Sequence, residues 1–355
     1  VLFLSGREVS YMRNRVLLAA LRTAFEVTVL TPGIPSTTGR VLVGLTRFLM
    51  RRPSYEICLA GFYGQPISLA LSAVQSKPIV LDAYVSTFDT LCEDRRWFRP
   101  GSAAGRLALW LDNRGCHRAA SVLTDTQAHA DYFSDTLGVP QSKLVPLYVG
   151  CDESLFYPRD EGPAAAPPFE VFYYGAFLPL HGTEIIVQAA DWLRNRHDIH
   201  FTIGGDGMGF RRVRRMVADL ALTNVELIGW IPVERLPDHI ARAHICLGGH
   251  FSRVPKAARV ISTKTFQFAA MGKPTIVGDN PATREIFAPG EHVLAVPMGD
   301  PGALAHAIQI MADDAALRQR IAAAGYQVFR ERLTTPILAG QLASVIQGAL
   351  CASAL

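Results

Sequence analysis

The sequence predicts an α/β protein of two domains, each built on a parallel sheet, the two facing across a cleft. Three observations predict it. Short apolar runs alternate with stretches of helical periodicity along almost the whole chain, the pattern of consecutive β-α-β units. The runs are apolar throughout rather than at every second position, which suits strands covered by helices on both faces. A Pro- and Ala-rich segment, Arg159 to Pro168, interrupts the alternation near the middle, and 355 residues exceed what one core fills.

Within residues 1 to 158, Val1 to Leu4 reads as the first strand. A turn carrying Gly6 and Arg7 follows, then a helix over Tyr11 to Ala24 and a strand from Glu26 to Leu30. That turn lies at the carboxyl edge of the sheet, where open α/β folds bind ligands, so Gly6 and Arg7 are candidate ligand contacts. The plainer reading of Arg7 is a solvated loop side chain. Tyr55 to Ala60, Ile79 to Asp82 and Ser121 to Thr124 read as further strands, separated by helices near Gln65 to Ala73 and Ser102 to Ala119. The turn after Leu81 groups Asp82, Tyr84, Ser86 and Asp89 at the same edge, and Asp82 suits an acceptor or base as well as a cap. Lys143 to Gly150 closes this domain.

Residues 169 to 334 repeat the alternation. Glu170 to Gly175, Asp198 to Gly205, Val225 to Ile228 and His244 to Leu247 read as strands, and Phe210 to Leu220 and Arg235 to Arg242 as helices. Lys256 to Asp279 (KAARVISTKTFQFAAMGKPTIVGD) combines a basic loop, a helix opening near Ser262 or Thr263, a stop at Gly272 and a buried strand from Pro274 to Gly278. Arg259 and Lys264 beside a helix N-terminus make an anion site, because free backbone N–H groups and the helix dipole add to the side-chain charge. This predicts a phosphate-bearing ligand. Ala303 to Arg332 is helical and amphipathic, and a helix from Thr335, with Pro336 in its first turn, completes the chain.

Composition narrows the function. A net charge of +4 is small for a nucleic-acid binder, which must neutralise many phosphates. No apolar run is expected to span a membrane and no signal-peptide pattern opens the chain. Six cysteines without a CxxC pair argue against a zinc site or a disulfide framework and suit a reducing cytoplasm. Arg47 to Arg52 and Arg95 to Arg99 interleave cations with large apolar residues, as at the edge of an anionic membrane; a solvated element with its apolar members turned inward is the alternative. Gly205 to Gly209 (GDGMG) approaches a dinucleotide fingerprint, but the third glycine of GxGxxG is replaced at Phe210. His239, His244 and His250 lack a carboxylate or Cys at ligand spacing and suit structural or surface roles.

Tyr173 to Glu184 (YYGAFLPLHGTE), Ile203 to Gly207, Val225 to Leu247 and Lys256 to Phe287 together resemble the successive landmarks of GT-B glycosyltransferases of family 4, and VLFLSG, Leu123 to Phe133 and Val149 to Pro158 fit the same layout. The resemblance implies two Rossmann-like domains. The first (1 to 158) would bind the acceptor and the second (169 to 334) the nucleotide sugar, with the helix from 335 to 355 crossing back to the first. It implies a retaining, metal-independent transfer from a nucleotide-diphosphate sugar to a sugar, natural-product or lipid-linked acceptor. No cofactor and no nucleic acid take part, and the setting is the cytoplasm or the inner face of its membrane.

Role by role, the resemblance places the leaving diphosphate against Arg259, Lys264 and the helix N-terminus. Gly175, His181, Gly205, Lys256, Ser262 and Gln267 would contact the donor, with Gly6 and Arg7 from the other domain, and Trp230 and Ile231 would frame the base. Asp82 and Tyr84 occupy the acceptor side. Family members commonly carry Arg and Lys where this chain has Ala176 and His181, and a pair of glutamates where it has Arg259 and Gln267. Those exchanges leave open a nucleotide-sugar epimerase-like enzyme or a non-catalytic GT-B scaffold.

Overall fold

The computed structural model describes residues 1–159, 162–163 and 167–353. It divides into two compact units, Val1–Gly150 with Leu333–Leu355, and Cys151–Arg332. The division falls eight residues before the expected boundary at Pro158, because Cys151 is already buried close to Tyr174 of the second unit. Of the expected linker, residues 160, 161 and 164–166 lie outside the described residues.

The first unit runs β1 (Leu2–Ser5), α1 (Met12–Arg22), β2 (Thr28–Val29), α2 (Thr37–Arg51), β3 (Cys58–Gly61), α3 (Gln65–Val74), β4 (Ile79–Asp82), α4 (Ala103–Arg118), β5 (Ser121–Thr124), α5 (Gln127–Leu137) and β6 (Leu144–Pro146). All six strands pair in parallel, in the order β2-β1-β3-β4-β5-β6. Burial follows the twofold strand period. Leu2, Leu4, Cys58, Ala60, Ile79 and Leu81 join the core under α2 to α5, which supply Phe48, Leu71, Cys116 and Phe133. Phe3, Leu59 and Val80 point the other way and join a core with Val16, Leu17 and Leu21 of α1.

The second unit runs β7 (Phe169–Gly175), α6 (Thr183–Trp192), β8 (Ile199–Gly205), α7 (Phe210–Asp219), β9 (Val225–Gly229), α8 (Leu236–Arg242), β10 (Ile245–Leu247), α9 (Thr263–Ala270), β11 (Thr275–Gly278), α10 (Pro281–Arg284), β12 (Leu294–Val296), α11 (Pro301–Asp313) and α12 (Ala315–Arg332). Its parallel sheet has the order β12-β11-β10-β7-β8-β9. The stretch expected to be helical from Ala303 to Arg332 forms two helices, α11 and α12. Asp314 is extended and its carboxylate accepts from the Leu317 amide at 2.8 Å, capping a new start.

The chain then returns to the first unit as α13 (Thr335–Ser353), which lays Leu338, Leu342, Ile346 and Ala349 into the core beside α1. By length and composition the run Ala315–Ser353 is apolar enough to cross a membrane, a property the sequence reading gave to no stretch. In the fold, α13 covers one face of a sheet.

Strand order locates the binding edges. In each sheet the chain reverses direction of travel once, between β1 and β3 in the first and between β7 and β10 in the second. The loops leaving the carboxyl ends of such a pair splay apart and leave a crevice, the usual ligand position in open α/β sheets.

Candidate functional site

In the second unit, the loop after β7 brings His181 and the loop after β10 brings His250 to the two sides of that reversal. Their rings stack, with centroids 5.5 Å apart and planes at 16°. Lys264, in the first turn of α9, lies behind them at 5% exposure. Its Nζ donates to Ser262 Oγ at 2.8 Å and sits 5.0 Å from the centroid of the Tyr173 ring. Ser262 occupies the N-cap position of α9 without bonding the helix backbone through its side chain. Its hydroxyl serves the lysine instead.

No carboxylate among the described residues pairs with Lys264, His181 or His250, and the electrostatics follow from that. Burial pulls Lys264 down from 10.5 to about 7. Burial, then Lys264, then His250 push His181 well below the usual histidine range; burial, then Lys264 and Lys256 do the same to His250. The Nδ1 atoms of both histidines are buried without a hydrogen-bond partner. The cluster is therefore an array of donors held short of full charge, and an incoming anion would complete it.

Gln267, one turn further along α9, is 2% exposed and its Oε1 accepts from the Tyr174 hydroxyl. Lys256, 7% exposed, and Arg259 lie on the turn leading into α9. Glycines set the spacing around them. A Cβ on Gly175 would stand 3.1 Å from His181 Nδ1, and one on Gly205 (φ 124°) would stand 1.9 Å from the Gly175 carbonyl. Gly205 and Gly207 thus let the loop after β8 lie directly on the loop after β7, a packing role for the stretch that looked like a dinucleotide fingerprint. Next to His181, Gly182 lines a concavity of about 610 Å³ with Glu184, Gly209, Arg212, Ser252 and Arg253.

Trp230 is 71% exposed, so it is no core aromatic, whereas Ile231 is buried against the region of Gly204. His239 stacks on Phe172, and His244 Nδ1 accepts from the Glu170 amide, so neither joins the cluster. His250 does, a role the sequence reading did not give it. Its signal was position, three residues past the end of a strand at the carboxyl edge. Among the described residues no group of three or more His, Cys, Asp or Glu is arranged to hold a metal ion.

Asp82, Tyr84, Gly6 and Arg7 gather at the reversal point of the first sheet. Asp82 is fully buried and accepts from Arg13 Nε at 3.1 Å and Nη2 at 2.8 Å, while Arg13 also donates to the Leu147 and Tyr148 carbonyls. That makes Asp82 an anchor for the edge of the sheet rather than a base open to an acceptor. Burial still outweighs Arg13 and raises its pKa. Gly6 lies against the backbone of Phe62 and Tyr63, where a Cβ would be 3.0 Å from the Phe62 carbonyl. Arg7 spans the rings of Tyr11 and Phe62 at 5.1 and 5.9 Å and pairs with Glu8, which also holds the buried Arg40 at 2.9 Å. Tyr84 packs against Phe62 at 5.4 Å and Tyr11 at 6.4 Å. The result is a cluster of rings in which Tyr11, Tyr63 and Tyr84 stand half-buried around the buried Phe62.

Comparison with known proteins agrees with this layout. Residues 184–342 match the family model described as glycosyl transferase-like. An α-D-kanosaminyltransferase of Streptomyces kanamyceticus is 22% identical over 275 residues, covering 74% of this chain and 67% of that protein. Among solved structures, sucrose-phosphate synthase of Thermosynechococcus elongatus superposes with a TM-score of 0.79 at 17% identity, covering 99% of this chain and 98% of that one. Anabaena HepE in complex with UDP and glucose does so with a TM-score of 0.75 at 14% identity, covering 98% and 99%. These structures share with this chain the fold of two Rossmann-like domains. The family model lies over the unit that carries the cation cluster, and the fold is that of the GT-B glycosyltransferases.

Proposed function

We propose that the chain transfers a sugar from a nucleotide-diphosphate sugar to an acceptor hydroxyl, with retention of configuration and without a metal. The observation that carries this is the buried cluster of Lys264, His181 and His250 at the reversal point of the second sheet, which meets no carboxylate. A diphosphate supplies the missing negative charge. Charge grows on the leaving diphosphate as the glycosidic bond breaks, so donors already aimed at it stabilise the transition state more than the ground state. Lys264, Arg259 and the N-terminus of α9 have this role. Gln267, able to donate and accept, suits the ribose hydroxyls, and Trp230 with Ile231 suits the base. The HepE structures with UDP and UDP-glucose support a nucleotide-sugar donor. The ring patch around Tyr84 suits a sugar, natural-product or lipid-linked acceptor in the first unit.

The reading is tested by thermal shift with UDP-, GDP-, dTDP- and ADP-sugars. A true donor at a hundred times its Kd adds about 2.7 kcal/mol of stability, and stability unchanged by all four overturns the proposal. With the donor in hand, NMR of the product anomer and turnover in EDTA test retention and metal independence. Arg259 and Gln267, standing where the family carries glutamates, favour one second reading, a protein that binds donor without transferring it. Donor epimerised, hydrolysed or left intact whatever acceptor is added would establish that reading.

A further inference from the structure

We propose that the outward stripe of α4 and the loop before it dock on an anionic lipid surface. Trp97 (56% exposed), Phe98 (43%), Leu107 (63%) and Trp110 (49%) project from this one region. Arg96, Arg99, Arg106, Arg114 and Arg118 are exposed around them. On α4 the exposed positions 103, 106, 107, 110, 114, 117 and 118 follow helical spacing and form a single stripe. No acidic residue between Arg95 and Arg118 offsets the arginines at the surface. Asp112, the one acid in that span, is fully buried and accepts from Ser86 Oγ at 2.6 Å and the Phe88 amide at 2.8 Å.

The apolar side chains are held outward by the fold. Trp97 and Phe98 both donate their amides to the Leu91 carbonyl, at 2.9 and 3.3 Å, and Arg96 turns the chain at φ 54°. Beneath them Phe88, Cys92 and Ala108 make a small core of their own. Gly105 lets the loop lie on the start of α4, since a Cβ there would be 2.5 Å from the carbonyls of Arg99 and Pro100. Loop and helix therefore present one continuous surface. Burying four such side chains in water-free contact is favourable, and their mixture with arginine is the composition of an interfacial anchor: rings at headgroup depth, cations on phosphates.

A second basic helix marks the difference. On α7, Arg211, Arg212, Arg214 and Arg215 are exposed, but Val213 is buried and Phe210 half-buried. Charge alone makes that helix a solvated face. On α4 and the loop before it three exposed rings, Trp97, Phe98 and Trp110, stand among five exposed arginines, and the pairing fits a bilayer better than a purely ionic partner.

The test is flotation of the full chain with vesicles of phosphatidylcholine alone or with 30% phosphatidylglycerol, at low and high salt. The chain should float with the anionic vesicles only, less so at high salt, with a blue shift of tryptophan emission. Trp97→Ser with Trp110→Ser should abolish flotation. Each of Arg99→Ser and Arg106→Ser should weaken it about fivefold, and Arg211→Ser with Arg215→Ser should leave it unchanged. All sites are exposed, so circular dichroism should show every variant folded. Failure of the parent chain to float, or equal flotation of the tryptophan variant, overturns the proposal. So does binding of a single-stranded oligonucleotide in place of vesicles, which would assign the stripe to nucleic acid.

Discussion

The two sheets place a crevice at the same kind of topological reversal and furnish it with opposite electrostatics. In the first, each buried cation has its own anion, Arg13 with Asp82 and Arg40 with Glu8, and aromatic rings face the crevice. In the second, Lys264, His181 and His250 are gathered with none. The first crevice is balanced before any ligand arrives, as suits the acceptor site proposed there. The second is completed only by an anion. One fold thus provides a neutral seat and a charged one by changing which side chains stand on its loops.

The largest expected effect separates a paired cation from an unpaired one. Arg13→Met should destabilise the chain by about 3–5 kcal/mol in urea unfolding, because it strands Asp82 in an apolar site. A loss below about 1 kcal/mol would show that the pair carries no such weight. Lys264→Met should do the reverse, holding or raising Tm while kcat/KM falls about 10²- to 10³-fold, the cost of removing one donor to a developing anion. A variant that both melts early and keeps its turnover would erase the contrast between the two crevices.

The pH dependence sharpens it further. Lys264 titrates near 7 in the folded chain and 10.5 unfolded, so between those values the unfolded state binds more protons and stability rises with pH. The cost of the buried charge is full below pH 7 and fades toward 10. His181 and His250, held well below 6.5, add a rise through the acid range up to that value. Ligand binding has the opposite slope, since an anion favours the protonated cluster. The thermal shift given by a nucleotide sugar should therefore grow from pH 8.5 to 6.5, while the ligand-free Tm of the parent chain falls over the same change relative to Lys264→Met. Smallest of all, Gln267→Ala should raise KM several-fold with kcat nearly unchanged, as for the loss of one hydrogen bond of about 0.5–1.5 kcal/mol. An equal fall in kcat would move Gln267 into the chemistry.

Strands were legible where burial on both faces makes the run apolar throughout. Ile79–Asp82 and Ser121–Thr124 have the bounds the sequence predicts. Glu26 to Leu30 shrinks to Thr28–Val29, an edge strand paired on one side only, where local pattern does not say how far pairing extends. Lys264 was legible as a cation beside a helix start. Its burial, and the stacking of His250 on His181 from loops 69 residues apart, depend on strand order, which no local pattern encodes. Asp82 misled for the same reason. Its partner Arg13 lies 69 residues away, and only the fold brings the two together.

The return of α13 to the first unit has a consequence for synthesis. Residues 151–332 form the second unit without interruption, whereas the first needs residues made on both sides of them. At ribosomal rates of about 5–20 residues per second, roughly 10–40 s separate β6 from α13. During that interval one face of the first sheet, with Phe3, Leu59 and Val80, lacks the cover of Leu338, Leu342 and Ile346. The half begun first is thus finished second, and the nascent chain carries an open apolar face at the stage when chaperones would meet it.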